Sequence, residues 1–384
     1  MKDQISILRL ITRLNIGGPA RQALLLSSAL SPRFNTTLAC GLASIEEGEL
    51  MVPGVTLRRV PLVRPVNPWL DLVALARTKD LIGQVRPDIV HTHMAKAGTI
   101  GRLASFTKSQ RRSARPKTIH TFHGHVLDGY FSRLKNATFR NIEIELAKRT
   151  DVLIAVSLEI KDQLLEFKIG RPDQIEVVPL GLDLSKFSQL APGIREDYLV
   201  DLLEIPLESY LVGIVGRLVP IKSVEHAIQA VREMDNSHLV IVGDGECRGN
   251  LEKLSNDLGL SSRVHFLGFR SDLDQVYSGL DCVILTSRNE GTPVSLIEAQ
   301  ASGRPVIASD VGGVRSVVDD QQTGVLVEYG NISQISQAIG HLIDNPGIRQ
   351  KLGANAQVSA LNKFSSSVLI DHLETIYLNL VSNR

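Results

Sequence analysis

Residues 287–313 read SRNEGTPVSLIEAQASGRPVIASDVGG, and this stretch contains a loop, a helix, a turn and a strand in succession. Thr292 is a good helix cap and Pro293 suits the first helical position. Gly303 ends the helix, and a strand follows at residues 305–309. A helix that opens from a loop and leads straight into a buried strand is the repeating unit of a parallel α/β sheet.

The start of this helix is a predicted anion site. Its first amides lack partners within the helix and carry the positive end of its dipole, so the backbone at Val294 and Ser295 suits a phosphate. Glu290 precedes the helix, and Glu298 lies on the same face as Val294, about 6 Å further along the axis. Because carboxylates accept hydrogen bonds from hydroxyls, a phosphate flanked by polyols would fit; the alternative is two solvated glutamates.

Length and composition indicate a two-domain globular protein. The chain has 384 residues, of which 43% are apolar and 22% charged, and this is too long for one ordinary core. Its three cysteines are an odd number without CxxC spacing, so we expect neither a disulfide framework nor a zinc site. No signal core or run of about 18 apolar residues occurs, which favours the cytoplasm.

Charge is distributed unevenly along the chain. Residues 1–190 contain 27 Lys and Arg and 17 Asp and Glu, a net charge of +10, whereas the remainder has a net charge of −9. The excess concentrates in residues 102–149, with 11 basic and 3 acidic side chains. We expect this stretch to face an anionic membrane surface. A solvated surface is the alternative, and nucleic acid is not expected because aromatic residues are only 4% of the chain.

Short β-branched runs alternate with amphipathic stretches along the whole chain, which predicts parallel, doubly wound sheets. The alternation is interrupted by DLSKFSQLAPGIREDYL near residue 190, where the charge also changes sign. The final stretch, FSSSVLIDHLETIYLNLVSNR, reads as one more helix. We therefore predict two Rossmann-like domains and a C-terminal helix that crosses back towards the first of them, over residues 1–188, 189–365 and 366–384.

Ligands of open parallel sheets bind at the carboxyl ends of strands, and unusual residues cluster at those ends. Gly17 and Gly18 follow the first strand and permit close backbone approach. HTFHGH places His123 at the end of another early strand. GRLVPIK places Arg217 and Lys222 on a strand-to-helix turn, where two cations can neutralise a diphosphate without a metal. The alternatives are a buried structural histidine and two surface cations.

Three other motifs are given structural interpretations. The glycines of VGDGECRG do not have dinucleotide-binding spacing, so the segment is predicted to be a tight turn. The paired histidines at 91 and 93 and at 123 and 125 lack the carboxylate spacing of hydrolytic zinc sites. DLD at 272–274 resembles a metal-binding DxD motif, but it opens a helix and is predicted to cap it. No metal or other cofactor is expected.

Taken together, the motifs resemble those of retaining GT-B glycosyltransferases, specifically glycosyltransferase family 4. Glu290 and Glu298 form E-x7-E, and GGPARQ, HTFHGH, VPLGLD, GRLVPIK and VGDGE occur in the family's order over nearly the whole chain. E-x7-E alone is a weak signal, whereas the ordered set is specific. The resemblance implies two domains facing a central cleft and transfer of a sugar, with retention of anomeric configuration, from a nucleotide donor.

The resemblance also implies roles for individual residues. Arg217 and Lys222 would hold the diphosphate, Glu298 the ribose and Glu290 the sugar hydroxyls, while His123 would face the sugar. The implied nucleotide-sugar site further includes Gly17, Gly18, Gly243, Gly291, Thr292, Pro293, Val294 and Ser295. Thr292 and Pro293 stand where many members have Phe-Gly, a position that contacts the donor sugar, so the identity of that sugar is open. LGLD in place of the frequent NGVD is a milder departure.

The implied chemistry is electrostatic stabilisation of the departing diphosphate, with same-face attack by the acceptor. Overall likeness favours a UDP-sugar donor and a glycan or lipid-linked acceptor, in the synthesis of cell-surface polysaccharide or lipopolysaccharide at the inner face of the membrane. Other functions on the same fold are a sugar-nucleotide epimerase, a sugar phosphorylase and a non-catalytic partner that binds sugar nucleotides. Retention of His123, Glu290, Arg217 and Lys222 argues against the last of these.

Overall fold

A computed structural model describes residues 4–15, 18–42, 50, 54–63, 65–106, 115–124 and 133–382. The chain divides into two compact units. The first unit combines residues 1–182 with residues 366–384, and the second contains residues 183–365. Each unit has its own parallel sheet, so the predicted fold class, two parallel α/β domains, is confirmed.

The first unit contains a parallel sheet of seven described strands in the order β3-β2-β1-β4-β5-β6-β7. β1 is buried along most of its length, as a central strand covered on both faces must be. The strands are β1 (Ile5–Ile11), β2 (Phe34–Cys40), β3 (Thr56–Arg59), β4 (Ile89–His93), β5 (Lys117–Phe122), β6 (Val152–Ala155) and β7 (Ile175–Val177).

Helices connect these strands, because parallel neighbours require crossover connections. Asn67 shows how the sequence starts one of them: its side chain accepts from the Leu70 amide and Pro68 occupies the first turn. The described helices before the second unit are α1 (Gly18–Ser28), α2 (Pro68–Val85), α3 (Ala95–Ser105), α4 (Arg133–Ala147) and α5 (Leu158–Glu166).

The second unit contains a parallel sheet of six described strands in the order β10-β9-β8-β11-β12-β13. Aliphatic side chains of β8 and β9 form the centre of its core, together with residues of the surrounding helices. The strands are β8 (Tyr210–Val215), β9 (Ser237–Val242), β10 (Val264–Gly268), β11 (Cys282–Leu285), β12 (Val306–Ser309) and β13 (Gly324–Val327).

Seven described helices belong to the second unit, and two 3₁₀ turns, Pro220–Lys222 and Gly312–Ser316, follow strand ends. The helices are α6 (Tyr198–Leu203), α7 (Glu225–Ala230), α8 (Arg248–Asp257), α9 (Leu273–Ser278), α10 (Val294–Ala301), α11 (Ile332–Asp344) and α12 (Pro346–Phe364).

The last helix, α13 (Ser366–Ser382), packs in the first unit. Leu369, Leu373 and Tyr377 join a core cluster with Ile7 and Phe34. The Phe34 and Tyr377 rings meet edge to face, with centroids 5.7 Å apart. α13 thus fills part of the core of the first unit although it follows the second unit in the sequence.

The division between the units falls after Leu182, six residues before the boundary predicted from composition. Contacts of the intervening residues explain the difference. The ring of Phe187 packs edge to face on Tyr277 of the second unit, with centroids 5.7 Å apart. Composition cannot report such a contact. Among the described residues, no helix combines the length and low polarity that a membrane-spanning segment needs.

Candidate active site

Both predicted cations of the second unit and the first of its two predicted carboxylates come from loops at its topological switch point. β9 and β10 extend the sheet on one side of β8, whereas β12 and β13 extend it on the other side of β11. Successive connections therefore turn in opposite directions beside β8 and β11, which leaves a crevice at the carboxyl ends of these strands. Arg217 and Lys222 follow β8, and Glu290 follows β11.

Lys222 and Glu290 form an ion pair across this switch point. The Lys222 Nζ lies 2.6 Å from Glu290 Oε1, and their side chains are 23% and 12% exposed. Ser287 donates its hydroxyl to the same carboxylate oxygen at 2.5 Å. The carboxylate is therefore fixed in position. Lys222 has three N–H donors, and Glu290 is its one side-chain acceptor within the described part of the chain, so two donors remain for a ligand.

Backbone contacts hold the two loops together. Thr286 Oγ1 donates to the Lys222 carbonyl at 3.1 Å, and the Arg288 amide donates to the Ile221 carbonyl at 2.9 Å. These bonds join the turn after β8 to the loop after β11. They fix the position of the Lys222 backbone as well as that of its side chain.

Two glycines after β12, Gly312 and Gly313, pack against the backbone of the loop that contains Glu290. The Gly313 amide donates to the Glu290 carbonyl at 3.0 Å. A Cβ on Gly313 would lie 2.0 Å from the Gly291 carbonyl oxygen, and Gly312 has a positive φ of 49°. Only glycine permits this approach of two backbones, so the pair at 312 and 313 is part of the site's construction.

Helix α10 begins one residue later than predicted. Pro293, expected at the first helical position, is the N-cap, because its ψ of 99° is extended, and Val294 is the first helical residue. The Pro293 carbonyl accepts the amides of Leu296 and Ile297. Thr292 makes no capping bond with any described residue. The amides of Val294 and Ser295 likewise have no hydrogen-bond acceptor within the described ranges, as an anion site at the helix start requires.

Glu298 is fixed by a buried tyrosine. Tyr277 Oη lies 3.2 Å from Glu298 Oε2 and 3.1 Å from the Ser295 carbonyl oxygen. Burial, reinforced by the Glu298 charge, raises the pKa of Tyr277, so its hydroxyl stays protonated and donates. Glu298 remains half-buried one turn beyond Val294.

The remaining predicted residues of this unit lie at the same edge of the sheet. Arg217 is exposed, and its guanidinium makes no ion pair or hydrogen bond to the other described residues. Gly243 has a φ of 131°, and a Cβ there would lie 1.9 Å from the Gly216 carbonyl oxygen. Gly291 is different, since a Cβ there would meet no described atom within 4 Å, so space beside it is open.

Asp272 does not cap α9 with its side chain, contrary to the sequence prediction. It occupies the N-cap position, but its carboxylate binds the Arg270 guanidinium and accepts the Tyr198 hydroxyl at 2.7 Å. Hydrogen bonds from Arg270 and Tyr198 hold the pKa of Asp272 at about 2. Both oxygens of this DxD aspartate are engaged by the protein itself.

The first unit has its own switch point, between β1 and β4. Gly18 begins α1 after β1, and a Cβ there would meet no described atom within 4 Å, so the space beside it is open to a ligand. Gly17 lies outside the described residues. His93 ends β4 and His123 follows β5, so both lie at the carboxyl edge of the sheet.

A chain of buried polar side chains leads to His123. His93 Nδ1 lies 2.9 Å from His123 Nε2, and the buried Arg9 Nη1 lies 3.2 Å from His93 Nε2. Burial lowers the pKa of His123 to about 4, and burial also lowers the pKa values of His91 and His93. These imidazoles are therefore neutral at pH 7.

Comparison with known proteins identifies the family. Residues 16–186 match the family model described as Glycosyltransferase Family 4, and residues 201–359 match that of Glycosyl transferases group 1. A D-inositol 3-phosphate glycosyltransferase of Corynebacterium glutamicum is 31% identical over 318 residues, covering 78% of this chain and 74% of that protein. The chain belongs to glycosyltransferase family 4. The resemblance inferred from the motifs is thereby confirmed.

Two further relatives of this glycosyltransferase are informative. The UDP-Gal:alpha-D-GlcNAc-diphosphoundecaprenol alpha-1,3-galactosyltransferase of Escherichia coli is 29% identical over 331 residues, covering 84% of this chain and 83% of that protein. HepE of Anabaena, solved in complex with UDP, superposes with a TM-score of 0.81 at 21% identity and covers 98% of this chain and 100% of its own. The GT-B fold of the glycosyltransferase is confirmed by this likeness.

The structure adds residues of the glycosyltransferase that sequence reasoning missed. Ser287 and Gly313 hold Glu290, Tyr277 holds Glu298, and Arg9 and His93 hold His123. The Gly-Gly pair at 312 and 313, directly after a predicted strand, was a usable sequence signal for Gly313. The Ser287–Glu290 contact is local but belongs to no motif, and the contacts of Tyr277, Arg9 and His93 join residues distant in the sequence.

Among the described residues of the glycosyltransferase, no group of three or more His, Cys, Asp or Glu side chains converges as metal ligands would. The second unit instead brings together the fixed Lys222 and the exposed Arg217, two fixed carboxylates, and the open amides at the start of α10. This set can bind a diphosphate with hydroxylated groups on either side.

Proposed function

We propose that this glycosyltransferase transfers a sugar from a nucleoside diphosphate donor, a UDP-sugar, with retention of anomeric configuration. One observation carries the proposal: the Lys222–Glu290 ion pair at the switch point, beside the open amides at the start of α10. The UDP assignment draws on the E. coli relative, named for UDP-Gal, and on HepE, solved with UDP.

Each predicted residue has a role in this proposal. Arg217, the free N–H donors of Lys222 and the amides of Val294 and Ser295 bind the diphosphate. Glu298 accepts from the ribose hydroxyls. Glu290 accepts hydrogen bonds from the sugar hydroxyls, and Lys222, its ion-pair partner, lies next to the phosphate.

We also assign the remaining members of the nucleotide-sugar set, which come from both units, to contacts with the donor. Gly17, Gly18, Gly243 and Gly291 allow the donor to come close to the backbone. Thr292 and Pro293 lead into α10 next to Gly291, and we assign them to the sugar end of the donor.

The chemistry is stabilisation of the leaving group. Negative charge grows on the β-phosphate as the glycosidic bond breaks. The Lys222 cation and the helix amides are already oriented and lower the barrier without reorganisation, and Arg217 adds a second positive charge. The acceptor hydroxyl attacks from the same face and passes its proton to the departing phosphate. This proposal requires no metal ion, because Arg217 and Lys222 supply the positive charge that a metal would supply.

For the acceptor we propose a lipid-linked glycan of a cell-surface polysaccharide. The E. coli relative is named for a diphosphoundecaprenol-linked acceptor, and a Staphylococcus aureus relative is named as a capsular polysaccharide biosynthesis glycosyltransferase, 28% identical over 83% of each chain. A lipid anchor confines the acceptor to a bilayer surface, so the enzyme must work there.

We also propose that the first unit binds the anionic surface of the membrane through residues 102–149. Not all of its basic residues are available: Arg102 is fully buried against Glu143, and Arg115 and Lys117 lie within 3.5 Å of Asp151. Residues 107–114, which include further basic side chains, lie outside the described ranges.

Apolar side chains at the start of α2 supply a second contact with the bilayer. Trp69, the single tryptophan of the chain, is 74% exposed, and Leu72, one turn later, is 62% exposed. Val66 is also exposed, so three large apolar side chains within seven residues are open to solvent at the start of α2. Tryptophan beside basic residues is typical of proteins that lie in the bilayer interface.

A donor screen tests the proposed function. UDP-, GDP- and ADP-sugars are added to the purified protein, and thermal unfolding is measured; we expect stabilisation by UDP-sugars above the other two. Transfer is then assayed with the stabilising donor and a GlcNAc-diphospho-lipid. Stabilisation by a different nucleotide would overturn the UDP assignment. Release of sugar phosphate with inorganic phosphate would indicate a phosphorylase, and an isomerised nucleotide sugar would indicate an epimerase.

A further inference from the structure

We propose that Arg9 and His93 act as positioning residues that fix His123 in a single tautomer, with its Nδ1–H available as a hydrogen-bond donor. The tautomer follows from contacts in the first unit alone. What the donor is used for, binding a sugar hydroxyl, rests on the function proposed above.

Arg9 determines where the protons of the neighbouring histidines lie. Its side chain is fully buried in β1, and its described hydrogen-bond partners are His91, His93, the Leu26 carbonyl and the Tyr377 hydroxyl. A guanidinium has only donors and keeps its charge in proteins. Each ring nitrogen that faces Arg9 must therefore offer a lone pair.

His93 transmits this constraint. Arg9 Nη1 lies 3.2 Å from His93 Nε2, so Nε2 accepts and carries no proton. Burial lowers the pKa of His93 and the charge of the adjacent Arg9 lowers it further, so the ring is neutral and has one proton. That proton must be on Nδ1, and Nδ1 lies 2.9 Å from His123 Nε2.

The constraint then reaches His123. Its Nε2 accepts the His93 Nδ1–H, and burial lowers the pKa of His123 to about 4, so this ring also has a single proton. That proton is on Nδ1. His123 Nδ1 has no hydrogen-bond partner among the residues that the structure describes, so this donor is left for a ligand.

The other side chains of the cluster support the same assignment. His91 Nδ1 lies 3.0 Å from Arg9 Nη1 and 2.7 Å from Tyr377 Oη, and its Nε2 lies 2.8 Å from Thr121 Oγ1. With Nδ1 accepting, His91 donates through Nε2 to Thr121. Proton positions throughout the cluster thus follow from the one side chain that can only donate.

A fixed Nδ1–H donor has a chemical consequence for transfer. The lone pair of His123 is occupied by His93, and its outward nitrogen already carries a proton, so His123 cannot remove a proton from the acceptor. It can hold a sugar hydroxyl in place. This agrees with a reaction in which the departing phosphate, and not a protein base, takes the acceptor's proton.

Nuclear magnetic resonance of the free protein tests the assignment. The protein is labelled with ¹⁵N-histidine, and long-range ¹H–¹⁵N spectra distinguish Nδ1–H from Nε2–H imidazoles. We compare the parent with His93→Leu, which removes the donor to His123 Nε2, and with His93→Asn, whose amide N–H can occupy the place of Nδ1–H. Tyr377→Phe is the matched control, because it deletes a hydroxyl of the same cluster that does not contact His93 or His123.

We expect the parent, His93→Asn and Tyr377→Phe to show His123 as the Nδ1–H form, and His93→Leu to show the Nε2–H form or a mixture. Transfer by His93→Leu should fall about tenfold and recover in His93→Asn, as for loss and return of one positioned hydrogen bond. An Nε2–H form of His123 in the folded parent would overturn the proposal. So would an unchanged Nδ1–H form in a folded His93→Leu variant. The spectra need no donor sugar, so a wrong tautomer and a wrong function give different results.

Discussion

Three contacts within the protein fix Glu290 in position. Lys222 and Ser287 bind one oxygen of its carboxylate, and the Gly313 amide binds its carbonyl. In the proposed reaction such fixed groups stabilise charge without having to reorganise, and this is the usual source of large electrostatic effects in catalysis. Arg217 contrasts with this, because it is exposed and contacts no other described side chain.

We expect Arg217→Ala and Lys222→Ala each to lower the rate of transfer on the order of 100-fold, because each removes one group that stabilises the departing diphosphate. Steady-state rates with the donor found by the screen measure the effect. Lys253→Ala, which removes an exposed cation of α8, is the control and should leave the rate unchanged. Rates equal to that of the parent in a folded Arg217→Ala or Lys222→Ala protein would remove that residue from the mechanism.

Activity should survive removal of divalent ions. If the cations and helix amides neutralise the diphosphate, transfer measured in EDTA should stay close to that of the untreated enzyme. The Asp272 carboxylate is committed to Arg270 and Tyr198, which also disfavours a DxD metal site. Complete loss of activity that Mg²⁺ or Mn²⁺ restores would show that this account is incomplete.

At the scale of elements, the strands were predictable and the supports of the site were not. β-branched runs such as YLVGIV mark strands because their side chains suit a buried pleated surface. The start of α10 was displaced by one residue, because proline suits both the cap and the first turn and only its ψ distinguishes them. The glycine pair at 312 and 313 was a local signal, but its approach to Gly291 and the Arg9–His93 contact join distant segments, so local sequence does not encode the contacts themselves.

Gly313→Ala tests the support of the Glu290 loop. The added Cβ would lie 2.0 Å from a carbonyl oxygen, so the backbone must move, and we expect transfer to fall at least tenfold as Glu290 is displaced. Gly249→Ala in α8 is the matched control, since its Cβ would meet no described atom within 4 Å and alanine favours a helix. Equal activity of both variants would mean that Glu290 tolerates the shift.

The start of α2 reports on membrane binding directly. Trp69 is the only tryptophan, so its fluorescence should shift to shorter wavelength when anionic vesicles are added at low salt, and high salt should reverse the shift. Replacing Arg111 and Arg112 with Gln, which leaves the ion pairs of Arg115 and Lys117 with Asp151 in place, should weaken the shift without changing nucleotide binding. An unchanged spectrum, together with failure to sediment with the vesicles, would indicate that the acceptor is met in solution.

For the molecule as a whole, the buried histidines link stability to pH. His91, His93 and His120 are fully buried with lowered pKa values, principally because burial disfavours the charged ring. Unfolding returns each to a pKa near 6.5, so below that value the unfolded chain binds more protons. The contribution of these three rings to the free energy of unfolding is therefore fully present above about pH 6.5 and is lost as the pH falls.

We expect the free energy of unfolding of the first unit to decrease below pH 6.5 by about 1.4 kcal/mol per pH unit for each histidine. Urea unfolding followed by circular dichroism at pH 7.5 and pH 5.5 measures this. His120→Asn, which has no titrating ring, should show a shallower dependence. A free energy independent of pH over this range would mean that the rings accept protons in the folded protein.

Since α13 supplies Leu369, Leu373 and Tyr377 to the core of the first unit, that unit lacks part of its interior until residues 366–382 have been synthesised. A ribosome must synthesise all of residues 183–365 before the helix emerges. The second unit can thus finish folding while the nascent first unit still exposes apolar surface around Ile7 and Phe34, which is the situation in which chains aggregate or engage chaperones. The order of folding during synthesis is then the reverse of the order in the sequence, and the buried Arg9 cluster, which needs Tyr377, is among the last parts of the enzyme to form.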